Sequence, residues 1–454
     1  MMSRTKTQTD LTEGNIVKGI LLFAAPILVG NVFQQLYNVV DTAVIGNVLG
    51  DNALAAIGAA SPVYSLIVGF ASGITSGFSV IISRLFGAKD RAEMKKAVSL
   101  TYVLTFIIAL VMTSLGIIFT NPILKLLKTP DSIMADGAQY LIIIFSCSVF
   151  ALLYNMAAGL LRAVGNSRTP LYFLVFSSIV NVVLDILFVK YLGWGIAGAA
   201  YATVLSELLS VVLAFVYIGR KIEMIRFSKG SLQFDKAMIK ELLSMGFSMG
   251  LMYVVVSIGS VALQSTVNTF GDKIITAHTA ARRVDDIFML TLGSLSSAGA
   301  TFVSQNYGAK KTERIKKGIK ASLMMTTVWS IVSAMMIFVF GRLMIIGISG
   351  THNEYIIENA QRYIRINISF FAVLGLLLIM RTSLQGIGRK AIPVLGSVIE
   401  LILKFAGVFV ITEQVGYIGV CVLEPMIWIL SAILVTFDFL KQIIKINGEE
   451  ISRK

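Results

Sequence analysis

Residues 20–49 read ILLFAAPILVGNVFQQLYNVVDTAVIGNVL, a run whose one charged side chain is Asp41. As a helix rising 1.5 Å per residue it outspans the roughly 30 Å hydrocarbon core of a bilayer. Comparable apolar runs follow as far as Val435, separated by short polar breaks. The chain of 454 residues is 56% hydrophobic and 14% charged, with a mean hydropathy of +0.82, whereas soluble chains carry about 25% charged residues. Water is therefore not its main solvent, and the fold class is all-α integral membrane. The polar segment before the run and the lack of a small-residue cleavage pattern after it predict a first spanning helix rather than a cleaved signal peptide.

Runs of about 20 apolar residues predict twelve spans, near 18–49, 53–83, 97–119, 136–161, 169–189, 195–219, 241–269, 276–305, 318–341, 359–380, 391–412 and 415–440. The basic residues test that count. Of 39 Lys and Arg, 29 fall in the two tails and the even-numbered loops, five in the odd-numbered loops (Lys125, Lys128, Lys190, Lys273, Arg342) and five inside spans (Arg282, Arg283, Arg362, Arg365, Lys404). One missed helix would invert every later loop, so the asymmetry supports twelve. The positive-inside rule then places both termini in the cytoplasm of a cell-membrane protein. The net charge of +14 is thereby a matter of topology, and no nucleic-acid partner is expected. Cys147 and Cys421 both lie in apolar segments, so neither a disulfide framework nor a metal cluster is expected.

The chain repeats itself. A shift of 221 puts Gly50-Asp51 on Gly271-Asp272, Ala59-Ala60 on Ala280-Ala281, Ser83 on Ser304, Gly87-Ala88-Lys89 on Gly308-Ala309-Lys310 and Lys95-Lys96 on Lys316-Lys317; a shift of 223 puts Leu161, Gly165 and Pro170 on Leu384, Gly388 and Pro393. The expected organisation is an N-terminal six-helix lobe, 1–219, a basic cytoplasmic linker, 220–240, and a C-terminal six-helix lobe, 241–454. An even number of helices separates the copies, so the repeats are parallel, an architecture of transporters. Gly69, Gly73 and Gly77 form a small-residue stripe on the second helix, which close helix packing explains.

Ionisable groups inside a span cost at least about 2.5 kcal/mol at its centre and need a reason. Helical rise puts Asp41, Asn181, Asp185 and Thr203 at similar depth in the outer half of the membrane, with Asn181 and Asp185 stacked on one face. Two carboxylates, an amide and a hydroxyl suit sodium as hard oxygen ligands. They equally suit a proton, because two close carboxylates in a low-dielectric site do not both stay ionised cheaply. The corresponding second-half positions hold Ala262, Lys404, Val408 and Met426, so the whole set is lost while the scaffold is kept. Glu400 and Lys404, four apart, are expected to pair with each other; Glu424 is a candidate for attracting a cationic substrate, and the three are candidate cavity residues. Asp285 and Asp286 beside Arg282 and Arg283 suggest a charge network. The 19 Met and 27 Phe chiefly face lipid or other helices, while some furnish a soft substrate cavity. Pro26 permits a kink in the first helix.

Ala25-Pro26-Ile27, Asp41-Thr42-Ala43-Val44-Ile45-Gly46, Ser83-Arg84-Leu85-Phe86-Gly87-Ala88-Lys89, Leu161-Arg162-Ala163-Val164-Gly165 and Glu424-Pro425 together resemble the MATE family, multidrug and toxic compound extrusion, over nearly the whole chain. The resemblance implies a V-shaped pair of six-helix lobes, a monomer that exports small organic cations through the lipid bilayer, and drive by a proton or sodium gradient without a cofactor. It also implies that Asp41, Asn181, Asp185 and Thr203 are the N-lobe cation site, holding sodium as a metal if sodium is the coupling ion, and that the bend at Pro26 responds to Asp41 protonation. NorM-like members carry acids in the seventh and tenth helices. Here 241–269 holds only Glu241 at its edge and 359–380 holds Arg362 and Arg365, which points to the DinF-like branch. The alternative function, a flippase for a lipid-linked sugar or other amphipathic metabolite, calls for a basic cavity, to which Arg362, Arg365 and Lys404 are relevant. An enzyme is not expected: HExxH, a nucleotide loop and a Ser/His/Asp set are all missing, and the only histidines are His278 and His352.

Overall fold

The computed structural model describes residues 9–127 and 129–451. Lys128 and the extreme chain ends used in the loop count lie outside the described residues. Every regular element among the described residues is helical: α1 Ile16–Leu49, α2 Asp51–Ala88, α3 Arg91–Leu126, α4 Asp131–Ser146, α5 Ser148–Ala163, α6 Arg168–Asp185, α7 Gly195–Lys221, α8 Lys236–Asn268, α9 Asp272–Gly308, α10 Thr312–Ser349, α11 Glu354–Ser369, α12 Phe371–Gly386, α13 Ala391–Val415 and α14 Tyr417–Ile451, with a π-helical turn at Ile186–Tyr191 and short 3₁₀ turns at Glu223–Ile225 and Lys229–Ser231.

Ten of these helices are long and apolar enough to cross a membrane unbroken, and two further spans are bent pairs: α4 with α5 at 48° and α11 with α12 at 50°. The fourth and tenth spans, expected as single helices, are therefore corrected to broken ones. The breaks sit at Cys147 and Phe370, whose N–H groups bond three residues back, to Ile144 and Asn367, so the i→i−4 ladder is interrupted without a proline. Pro26, by contrast, is accommodated in α1, which stays one helix.

By contact the described residues divide into two compact units, one containing Thr9 and Ala25–Gly250, the other Asp10–Ala24 and 251–451. These boundaries differ from 1–219, 220–240 and 241–454, and local contacts explain why. The start of α8 belongs to the first unit because its backbone lies directly on α2: a Cβ on Gly77 would meet Gly246 Cα at 2.6 Å, and one on Gly73 would meet Gly250 Cα at 2.6 Å. The small-residue stripe is thus a helix-packing seam. Ile74, Phe78, Leu160, Ile218, Leu242 and Met245 close the core around it. The ends of the expected linker belong to α7 and α8, and the stretch between is docked on α3, where Ser99 and Tyr102 hydroxyls donate to the Ser228 and Ile225 carbonyls, both at 3.2 Å. Lys96 pairs with Asp235 at 2.7 Å and Lys95 with Glu223 at 2.9 Å.

In the second unit residues 10–14 are clasped by the α9–α10 turn. Asn306 donates to the Leu11 carbonyl at 3.0 Å, Lys311 to Thr12 at 2.8 Å, and Arg314 to Leu11, Glu13 and Gly14, burying Leu11. The repeat extends to single backbone angles: Lys89 and Lys310, ending the two Gly-Ala-Lys turns, have φ of 59° and 55°.

Candidate functional site

In the first unit α1 carries Tyr37 and Asp41 one turn apart, α6 carries Asn181 and Asp185, and α7 carries Thr203 and Glu207. Asp185 is the last α-helical residue of α6 before the π turn, a local widening that often marks functional positions. Gly193 and Gly195, at φ 65° and 60°, then reverse the chain into α7, with Trp194 stacked on Phe188 at 4.7 Å.

Asp185 and Asn181 are buried, at 0% and 1% exposure, and Thr203 nearly so at 8%. The Asn181 amide satisfies its neighbours with Nδ2 donating to Asp185 Oδ2 at 2.9 Å and Oδ1 accepting from the Thr203 backbone N–H at 3.2 Å. Thr203 Oγ1 donates to the Ala199 carbonyl at 3.2 Å and lies within hydrogen-bonding reach of the Tyr37 hydroxyl. Asp41 and Asp185 lie close enough to couple electrostatically. Oδ1 of each is buried and has no donor. Two neighbouring carboxyls can share one proton between them, a chemistry open to this pair. For sodium the set offers two carboxylates, an amide oxygen and a hydroxyl as hard ligands.

The four residues drawn from the sequence therefore come together. Glu207, Tyr37, Tyr64 and Tyr140 belong beside them and were missed, although Glu207 lies four residues after Thr203 and Tyr37 four before Asp41, each on the same helical face as its partner.

The second unit is arranged otherwise. Glu424 accepts from Tyr363 Oη at 2.8 Å, Arg282 Nη1 at 3.1 Å and Lys404 Nζ at 3.3 Å. The expected Glu400–Lys404 pair is corrected: Glu400 is bonded to Arg381, a buried α12 residue that the loop count had placed outside the spans, while Lys404 serves Glu424. Among the described residues no ion pair joins Arg282 or Arg283 to Asp285 or Asp286, because Arg282 turns to Glu424 instead. A cavity of about 250 Å³ is lined by Ser260, Gln264, His278, Arg282 and Glu424 among others, so Glu424 reaches a cavity with its charge already matched. Arg365 lies over the Phe338 ring at 5.6 Å. Counted from the starts of α7 and α14, Thr203 falls on Pro425 rather than Met426; neither supplies a hydroxyl.

The MatE family model matches residues 26–187 and 248–410. The chain is 29% identical over 397 residues to the "Probable multidrug resistance protein YoeA" of Bacillus subtilis, covering 86% of this chain and 85% of that one. It is 30% identical over 337 residues to the "Probable multidrug resistance protein YpnP" of the same organism, covering 74% and 75%. Among solved structures, a MATE protein crystallised in a bent conformation superposes with a TM-score of 0.91 at 20% identity, over 98% of this chain and 99% of that one.

Proposed function

Because the chain belongs to the MATE family, we propose that it exports cationic, amphipathic drug-like compounds in exchange for protons bound at Asp41 and Asp185. The relatives named as multidrug resistance proteins support the cargo class. What supports the coupling ion is the pair of neighbouring acids, Asp41 and Asp185, each with a buried Oδ1 that has no donor. Two adjacent buried acids suit a shared proton.

Antiport requires that ion and cargo oppose one another's binding. A proton entering from outside would neutralise the acid pair and weaken its hold on a cation; its loss to the cytoplasm would restore the charge. Pro26 lies two residues from the point where α1 passes from one unit to the other, which supports a hinge role in that cycle. The basic-loop asymmetry supports cytoplasmic termini in the cell membrane, and the missing acids in the seventh and tenth spans support the DinF-like branch and coupling in the first unit alone. The protein would act as a monomer without a cofactor.

In proteoliposomes an imposed inward proton gradient with sodium absent should drive efflux of a cationic dye, and added sodium should change the rate little. Efflux that requires sodium and ignores the proton gradient would overturn the proton reading.

A further inference from the structure

Glu207 takes no part in the Asp41–Asp185 pair, yet it is a half-buried carboxyl in a spanning helix without an ion-pair partner among the described residues. A carboxyl in that setting costs at least about 2.5 kcal/mol, and a residue serving packing alone would be apolar. Its surroundings are specific. Tyr64, Tyr140 and Cys147 pack on the Ile144, Ala200 and Val204 cluster; Ala200, Val204 and Glu207 follow one another along a single face of α7. Tyr37 reaches the same face through Thr203. The three tyrosines come from three helices, α1, α2 and α4, and all lie within the electrostatic reach of Glu207. None of the hydrogen bonds described here ties Glu207 to any of them.

Aromatic residues near one carboxylate are surroundings that favour an organic ammonium or phosphonium ion, since ring quadrupoles and a negative charge attract a poorly hydrated cation together. The second unit offers the contrast. The counterparts of Tyr37, Tyr64 and Glu207 are Ile258, Asp285 and Ile429, and Tyr363, the counterpart of Tyr140, gives its hydroxyl to Glu424.

We infer that Glu207, with Tyr37, Tyr64 and Tyr140, is the subsite for the positive centre of the exported compound, one helical turn from the Asp41–Asp185 ion site. The inference rests on the export reading and assigns it a specificity-determining residue: the cargo is a monovalent lipophilic cation, bound by Glu207 and released when the neighbouring acid pair changes charge.

The test is titration calorimetry of the purified full chain with tetraphenylphosphonium and with the neutral triphenylphosphine oxide, alongside a count of protons exchanged per cation. Glu207→Gln should raise the phosphonium Kd by roughly tenfold or more and leave the neutral compound within about twofold. Glu207→Asp should recover part of the loss, and Tyr64→Leu should weaken the cation selectively. Wild-type phosphonium affinity in Glu207→Gln would overturn the inference. So would an equal loss for both compounds, or an unchanged Kd with fewer protons exchanged, which would make Glu207 a proton store. If Glu207→Gln does not fold, Glu207→Asp and Tyr64→Leu decide by the same criterion. A wild-type protein that binds phosphonium but ignores the proton gradient fails the coupling reading alone and leaves this subsite supported.

Discussion

Where α6 of the first unit carries Asn181, α13 of the second carries Lys404; where the first has Asp185 the second has Val408, and where it has Asp41 the second has Ala262. The helices around these positions match in order, and both units break a span at offsets that the repeat predicts, Cys147 and Phe370. Their charges follow opposite rules. In the first unit, acids lie together without a base, held by an amide and hydroxyls. In the second, Glu424 has three donors and Glu400 has Arg381. A buried charge with a full set of partners fixes geometry, whereas a buried acid beside another acid exchanges an ion readily. One scaffold thus holds acids without a base in one unit and fully partnered charges in the other.

The comparison breaks most sharply at the acid pair. Asp41→Asn or Asp185→Asn should reduce gradient-driven efflux to the leak rate at matched membrane expression, measured with a fluorescent cation in vesicles. Wild-type efflux by either variant would remove that residue from coupling. In the second unit the expected loss is of stability. Glu400→Gln leaves Arg381 buried and unpaired, a change that costs about 3–5 kcal/mol, and the apolar pair Arg381→Met with Glu400→Leu should recover most of it. Thermal unfolding in detergent reads both, and a double variant no better than the single one would deny that the ion pair is a clamp.

A graded effect is expected at Glu424. Lys404→Met removes one of its three donors, leaving Arg282 and Tyr363, so the loss should be smaller, about 1–2 kcal/mol, with efflux still coupled to protons. Abolished coupling there would erase the distinction between the units.

The smallest effect lies outside the membrane. The hydrogen bond from Lys96 holds the Asp235 carboxyl below the usual carboxylate range, and that from Lys95 does the same for Glu223. Groups lowered in this way stabilise the docked linker at neutral pH and stop doing so as pH falls through the lowered values. Hydrogen exchange at 222–235 should therefore rise below about pH 4, with the helix interiors unaffected.

Twelve spans, the repeat and the convergence of Asp41, Asn181, Asp185 and Thr203 were legible because hydropathy, charge bias and helical rise each act over short ranges of sequence. The broken spans were not, since neither Cys147 nor Phe370 is a residue that breaks helices, and the interruption arises from tertiary packing. Arg381 illustrates a second limit: its charge suggested a loop, and only a partner 19 residues away made burial tolerable. Glu207 and Tyr37 were legible in principle from their spacing to Thr203 and Asp41, but Tyr64 and Tyr140 on separate helices were not.

The contact boundaries also govern the order in which the protein can be made. The first unit needs α8 as far as Gly250, so its packing is incomplete when α7 leaves the ribosome. The second takes Asp10–Ala24 from the very start of the chain, and Asn306, which grips Leu11, is synthesised 295 residues later. Translation therefore leaves Leu11 waiting for the 295 residues that separate it from Asn306. Coexpressed fragments divided inside 220–240 would each lack a piece encoded on the other, so reassembly would depend on exchanging helices between them.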